Sequence, residues 1–202
     1  MFSPIPEALQ AFKNGDFLVV MDDESRENEG DLIIAAEKIT QEKMAFLVRH
    51  SSGFVCVPLS TERADMLNLP PMIKDRSGRH GTAYTVTCDY AHGTTTGISA
   101  HDRALTAHKL ADPSVAPNDF IRPGHVVPLR ADPGLLSGRR GHTEASMQLC
   151  QLTGMQPVAV ICELVRDEDG SMMRLDDCVA FAGQHGLKVI TIEQIVQHMA
   201  AP

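Results

Sequence analysis

Aromatic residues are scarce in this sequence, with seven Phe, two Tyr and no Trp in 202 residues. So few rings leave no platform for stacking nucleic-acid bases or sugars. Positive charge is also in deficit: 18 Lys and Arg face 26 Asp and Glu, for a formal net charge of −8. That balance argues against a broad basic face for nucleic acid or anionic lipid, while leaving room for a small anion held by a local pair of bases. No apolar run approaches the roughly 20 residues of a membrane span. Residues 1–20 lack the charged, apolar and small-residue regions of a secretory signal. The five cysteines are an odd number with no CxxC pair. Complete pairing within the chain and the common zinc spacings are therefore excluded, and a reducing, cytoplasmic setting is expected. Cys56, Cys88 and Cys162 stand in β-rich runs and read as small buried thiols. Membrane proteins, secreted disulfide scaffolds and DNA-binding modules drop out on these absences.

What is present describes a globular protein with a core: 43% of residues are apolar and 22% charged, and the length suits one domain over 1–202. There is no low-complexity stretch and no repeat of 20–50 residues. Ser3 is placed to cap a helix with Pro4 at its first position, Ile5, Leu9 and Phe12 on one face and Gly15 beyond its end. Apolar runs at 17–21 and 31–36 predict two buried strands joined by a polar loop. Thr40 predicts a helix to about His50, and 54–57 a strand. Residues 68–82, with two prolines and two glycines, read as a long surface loop; 84–88 reads as a strand and Ser99 as a cap for a helix to Leu110. A strand over Pro123–Pro128, a helix over Thr143–Leu152, a very apolar strand over Pro157–Leu164, a helix, a short strand at 188–190 and a helix from Glu193 complete the chain. Helices and strands mixed without a regular βαβ repeat predict a single α+β domain around a mixed sheet.

Four groups of residues carry chemistry. Asp22-Asp-Glu-Ser-Arg-Glu-Asn-Glu-Gly-Asp31 has six acids in ten residues and one base, Arg26. Such a run reads as a solvated loop or, pinned between two apolar strands, as carboxylates gathered around a divalent cation, with Mg²⁺ or Mn²⁺ better suited than zinc. Ser137-Gly-Arg-Arg-Gly-His-Thr-Glu144 opens a helix. Two guanidiniums beside free N-terminal N–H groups make an anion site, or Thr143 simply caps the helix. His142 reads as a cap neighbour or a metal ligand. Glu163 closes the run Val158–Cys162, either desolvated for acid–base work or facing water at a strand end. His125 follows the bend-forming Pro123-Gly124, held for catalysis or as a structural histidine. Together these groups suit a metal-dependent enzyme acting on a small sugar phosphate, with isomerase, epimerase, aldolase and lyase all open. A catalytically silent metabolite-binding protein is the other class.

The segments DDESRENEGD (22–31), TTTGISAHDR (94–103), RPGHVVPLRA (122–131), RRGHTEA (139–145) and AVICEL (159–164) resemble, in order, those of the 3,4-dihydroxy-2-butanone 4-phosphate synthases of riboflavin biosynthesis. The resemblance implies conversion of ribulose 5-phosphate to the four-carbon butanone phosphate with C4 leaving as formate, dependent on Mg²⁺ (or Mn²⁺). It also implies a single α+β domain and a homodimer whose active sites draw on both subunits. Position by position, Glu27 matches the metal-binding glutamate and His142 the histidine that completes the metal site. Arg26, Glu27 and Asp31 match substrate contacts, and Arg139, Arg140, Gly141, His142 and Thr143 the phosphate and substrate loop. His125 and Glu163 match positions required for catalysis, Glu163 also contacting substrate. The turn Asp132–Gly138 departs from the Gly-Gly-Val-Leu type usual before the arginines. No cysteine triplet suits the zinc site of the cyclohydrolase domain often fused to this family, so a monofunctional enzyme is expected.

Overall fold

Seven strands form one mixed sheet in the order β4-β5-β3-β6-β2-β1-β7: β1 (Leu18–Met21), β2 (Gly30–Ala35), β3 (Cys56–Leu59), β4 (Cys88–Tyr90), β5 (Phe120–Arg130), β6 (Ala159–Glu163) and β7 (Lys188–Thr191). The computed structural model describes residues 2–75, 78 and 80–200. β1, β2 and β3 are buried along their whole length. Both faces of the sheet are covered, which is why these strands read as continuous apolar runs rather than alternating ones. The alternation survives in the packing. Val19, Leu32, Ile34, Val57, Val160 and Cys162 point into one core, and Leu18, Val20, Ile33, Cys56, Ala159 and Ile161 into the other. α2 (Gln41–His50), α3 (Thr61–Met66), α4 (Ala100–Ala111) and α6 (Leu175–His185) cover the first face. α1 (Ile5–Asn14), α5 (His142–Thr153) and α7 (Ile192–Ala200) cover the second. The result is one α+β domain of three layers, as expected.

Local sequence accounts for most boundaries. Thr40 Oγ1 accepts the Lys43 N–H at 3.3 Å and Ser99 Oγ the Asp102 N–H at 3.0 Å, so both predicted caps form. Gly15 closes α1 in the left-handed conformation. Ser3 does not cap α1: Pro4 takes that position, and Ser3 is drawn off by β7, its hydroxyl accepting the Val189 N–H at 3.2 Å. Thr143 does not cap α5 either; Gly141 stands there, because Thr143 is already inside the helix and buried. The strand expected at 84–88 is reduced to isolated bridges at Tyr84 and Thr85, pairing proper beginning at Cys88. The one expected at 54–57 slides to Cys56–Leu59, leaving Phe54 half exposed. Of the 68–82 loop, residues 76, 77 and 79 lie outside the described residues; the rest carries no regular element beyond a turn and an isolated bridge at Pro71. All five cysteines are free and buried, and burial pushes the thiols of Cys88, Cys150 and Cys178 up to about 12. No helix among the described residues is long and apolar enough to cross a membrane.

Candidate active site

The antiparallel register of β2 and β6 sets Asp31 directly opposite Glu163. Side chains alternate along a strand, so both lie on the face packed by Ile33 and Ile161, where α5 docks. The N-terminus of α5 therefore arrives over the two carboxylates, bringing His142 and Thr143 with it, both buried. The acidic run closes the third side. It folds back on Asp22, whose buried carboxylate accepts the Glu27 N–H at 3.1 Å, the Glu29 N–H at 2.8 Å and Arg26 Nη1 at 2.9 Å. Three bonds to one side chain give this stretch a fixed shape that an ordinary solvated loop lacks.

Charge in the cluster is unbalanced. Nε2 of His142 lies 3.0 Å from the Val20 carbonyl, which can only accept, so the proton sits on Nε2. The bare Nδ1 then faces Asp31 Oδ1 at 3.6 Å and Glu27 Oε2 at 3.9 Å. Burial holds the His142 pKa below its usual value, keeping the ring neutral. Asp31 Oδ1 is buried with no hydrogen-bond partner. Burial first, then the charges of Glu163, Glu27, Glu29 and Asp22, push the Asp31 carboxyl well above the carboxylate range. One donor atom each from Asp22, Glu27 and His142 lie within 4.8 Å of one another. The bare imidazole nitrogen and the oxygens of Asp22 and Glu27 gathered this closely repel one another, and a hard divalent cation relieves that repulsion. Carboxylate oxygens with one imidazole nitrogen suit such an ion. Of these three candidate ligands, Asp22 is the one the sequence leaves unassigned, since nothing in the run marks which acid turns inward. Arg26 pairs with both Asp22 and Glu27, and these partners raise its pKa against the effect of burial.

The arginines divide. Arg139 donates through Nη1 to the buried Glu144 at 2.6 Å, through Nε to the His80 carbonyl at 3.2 Å and through Nη2 to Thr82 Oγ1 at 3.2 Å. It ties the 80–82 segment over the site. Arg140 turns outward to Glu193 at 2.8 Å, with 61% of its side chain exposed. The first turn of α5 carries no side-chain cap, so its N–H groups remain available to an anion. Arg26, Glu27, Asp31, Arg139, His142, Thr143 and Glu163 thus line one cavity of about 70 Å³, together with Cys56, Thr82 and Tyr84. Glu163 Oε2 accepts from Ser52 Oγ at 2.8 Å, and His80 approaches Glu27 at 3.9 Å. Ser52, Tyr84, Thr82 and His80 escaped the sequence reading because strand shifts and a long loop deliver them. His125 is not among the cavity's walls. It stands on β5 with its ring against Asp89 at 2.7 Å and 43% of its side chain exposed.

The family model for 3,4-dihydroxy-2-butanone 4-phosphate synthase matches residues 6–198. The chain is 70% identical over 200 residues to the synthase of that name from Candida albicans, covering 99% of this chain and 98% of that protein. To the synthase of the same name from Schizosaccharomyces pombe it is 59% identical over 200 residues, covering 98% of each. Among solved structures it superposes with a TM-score of 0.94 and 55% identity on a 3,4-dihydroxy-2-butanone 4-phosphate synthase in complex with two magnesium ions, over 98% of this chain and 97% of that one. On sequence and fold, this chain belongs to the 3,4-dihydroxy-2-butanone 4-phosphate synthase family.

Proposed function

We propose that this chain is a Mg²⁺-dependent lyase that converts D-ribulose 5-phosphate to L-3,4-dihydroxy-2-butanone 4-phosphate and formate for riboflavin biosynthesis, Mn²⁺ being able to substitute. The observation that carries the reading is the orphaned Asp31 carboxyl opposite Glu163 and beneath the bare Nδ1 of His142. Asp22, Glu27 and His142 hold the ion, which when bound supplies Lewis-acid polarisation of adjacent ligand oxygens. Arg26 and Asp31 hold the sugar hydroxyls. The uncapped first turn of α5, from Gly141 to Thr143, receives the phosphate. Arg140 joins it by exchanging Glu193, an exposed ion pair worth only about 0–1 kcal/mol. Arg139 keeps its three partners and fixes the turn.

Proton removal at C3 gives an enediol; the C1 hydroxyl leaves as water, the carbon skeleton migrates, and water adds at C4 before it departs as formate. The product and formate together contain the atoms of the substrate. Glu163 is the acid–base group beside the sugar, oriented by Ser52. His125 is a proton-transfer or orienting partner, and it reaches the site from a second subunit. In support, Phe54 (50%), Ile98 (51%) and Ile121 (54%) are exposed apolar side chains, Ile121 sharing β5 with His125 and Ile98 following the Gly97 that closes on its ring, a surface suited to a homodimer with shared sites. Five free, buried thiols suit a cytoplasmic setting. The test is formate release from ribulose 5-phosphate with Mg²⁺, with excess EDTA, and by Glu27→Gln. Formate that needs both the metal and Glu27 is expected. Substrate loss without formate indicates an isomerase- or aldolase-type reaction, and no consumption with any divalent ion overturns the enzyme reading.

A further inference from the structure

Between the pairs Cys88↔Val126 and Asp89↔Ile121, residues 122–125 of β5 drop out of the ladder as an irregular, four-residue bulge. The bulge presses Gly124 so close to the facing strand that a Cβ there would sit 2.1 Å from the Cys88 carbonyl carbon. It also lays His125 along the Asp89 side chain. Asp89 grips that residue twice: Oδ1 accepts the His125 backbone N–H at 2.8 Å, and Oδ2 meets ring Nδ1 at 2.7 Å. Gly97, at φ +93°, closes over the pair; a Cβ there would lie 2.0 Å from Asp89 Oδ2 and 2.5 Å from His125 Nδ1. Gly97 is itself held by its N–H bond of 2.9 Å to the buried Asp102. Asp89 is buried, while the ring it holds is open to solvent. Nε2 has no hydrogen bond among the described residues.

From this geometry we infer that Asp89 is a positioning residue, holding His125 in the Nδ1–H tautomer so that a bare Nε2 faces outward to exchange protons with a substrate. A carboxylate only accepts, so a neutral ring bonded to it carries its proton on Nδ1. The inference rests on the reading that His125 takes part in proton transfer. A structural role predicts lost stability when Asp89 is changed; a positioning role predicts a ring in the wrong tautomer in a protein that still folds.

Asp89→Asn separates the two. The amide oxygen can still accept the His125 backbone N–H, but its NH₂ then faces Nδ1 and favours a bare Nδ1 with Nε2–H. The ¹⁵N signals of the His125 ring, recorded for neutral imidazole, report the tautomer independently of activity. The expected results are Nδ1–H in the unmodified protein, Nε2–H in Asp89→Asn, and a kcat for formate release lower by about 10²- to 10⁴-fold with KM little changed. Thr87→Val, which removes the Thr87 Oγ1 bond of 3.0 Å to the Gly124 N–H in the same bulge, should leave the tautomer as it is. Nε2–H in the unmodified protein overturns the inference even if Asp89→Asn fails to fold. An unchanged tautomer in the variant, or a flipped tautomer with full kcat, overturns it as well. His125→Asn is assayed in parallel: full activity there brings down the role of His125, whereas a dead His125→Asn beside a fully active Asp89→Asn brings down only that of Asp89.

Discussion

Asp31 and Glu163 face each other across one rung of an antiparallel ladder, and Asp31 is buried. Like charges so placed are destabilising unless a proton or a cation lies between them. Burial and the neighbouring carboxylates raise the Asp31 pKa in the folded chain above its ordinary 3.8. The folded state then binds the proton more tightly than the unfolded one. With chelator present, this carboxyl's contribution to stability is complete below the unfolded pKa and is lost as pH rises through the folded pKa. Asp31→Asn removes that loss. Its melting temperature with EDTA should fall less with pH above about pH 4 than that of the unmodified protein. Added Mg²⁺ should raise the melting temperature of the unmodified protein more than that of the variant. A steeper pH dependence in Asp31→Asn would contradict the assignment of the raised pKa to this residue.

At the scale of elements, α5 places His142 and Thr143, and the Arg139–Glu144 pair anchors its start. Glu144 Oε1 also accepts the Asp132 N–H at 3.0 Å, so one buried carboxylate ties together the turn, the helix and the 80–82 segment. Removing one partner of such a pair leaves the other uncompensated. With Arg139 partly exposed, Arg139→Met should cost roughly 2–3 kcal/mol, a fall of about 2–4 °C in melting temperature for each kcal/mol. Thermal unfolding of the variant checks it. Most of the helices and buried strands were legible in the sequence, because caps such as Thr40 and Ser99 and runs such as 31–36 are local signals. α3 was missed: it is six residues long with one buried side chain, too short for a periodicity to register. Two guanidiniums beside a helix start suggested a paired anion site. Their division between Glu144 and Glu193 depends on partners distant along the chain and is invisible locally. The acidic run was legible as a gathering of carboxylates beside His142. That Asp22 joins Glu27 and His142 was not, because the inward turn depends on backbone bonds within the run.

At the scale of the molecule, the cavity around Glu163 and the outward-facing His125 are separate features of one chain, and apolar side chains including Phe54 and Ile121 are exposed. In a two-fold dimer each site would take Glu163 from one subunit and His125 from the other. Two inactive variants, His125→Asn and Glu163→Gln, should then restore activity when mixed and allowed to exchange subunits. Half the dimers are hybrids with one intact site of two, so recovery approaches roughly a quarter of normal activity. No recovery despite demonstrated subunit exchange would place both residues in the same subunit's site.

In the proposed reaction this cleft removes one carbon of a five-carbon sugar phosphate as formate. Ribulose 5-phosphate labelled with ¹³C at C4, incubated with the protein and Mg²⁺ and followed by NMR, tests it most directly. The label should appear in formate and be absent from the phosphorylated product, and no labelled formate should form when EDTA is present from the start. Label retained in a five-carbon phosphate, or found in a fragment other than formate, would contradict it.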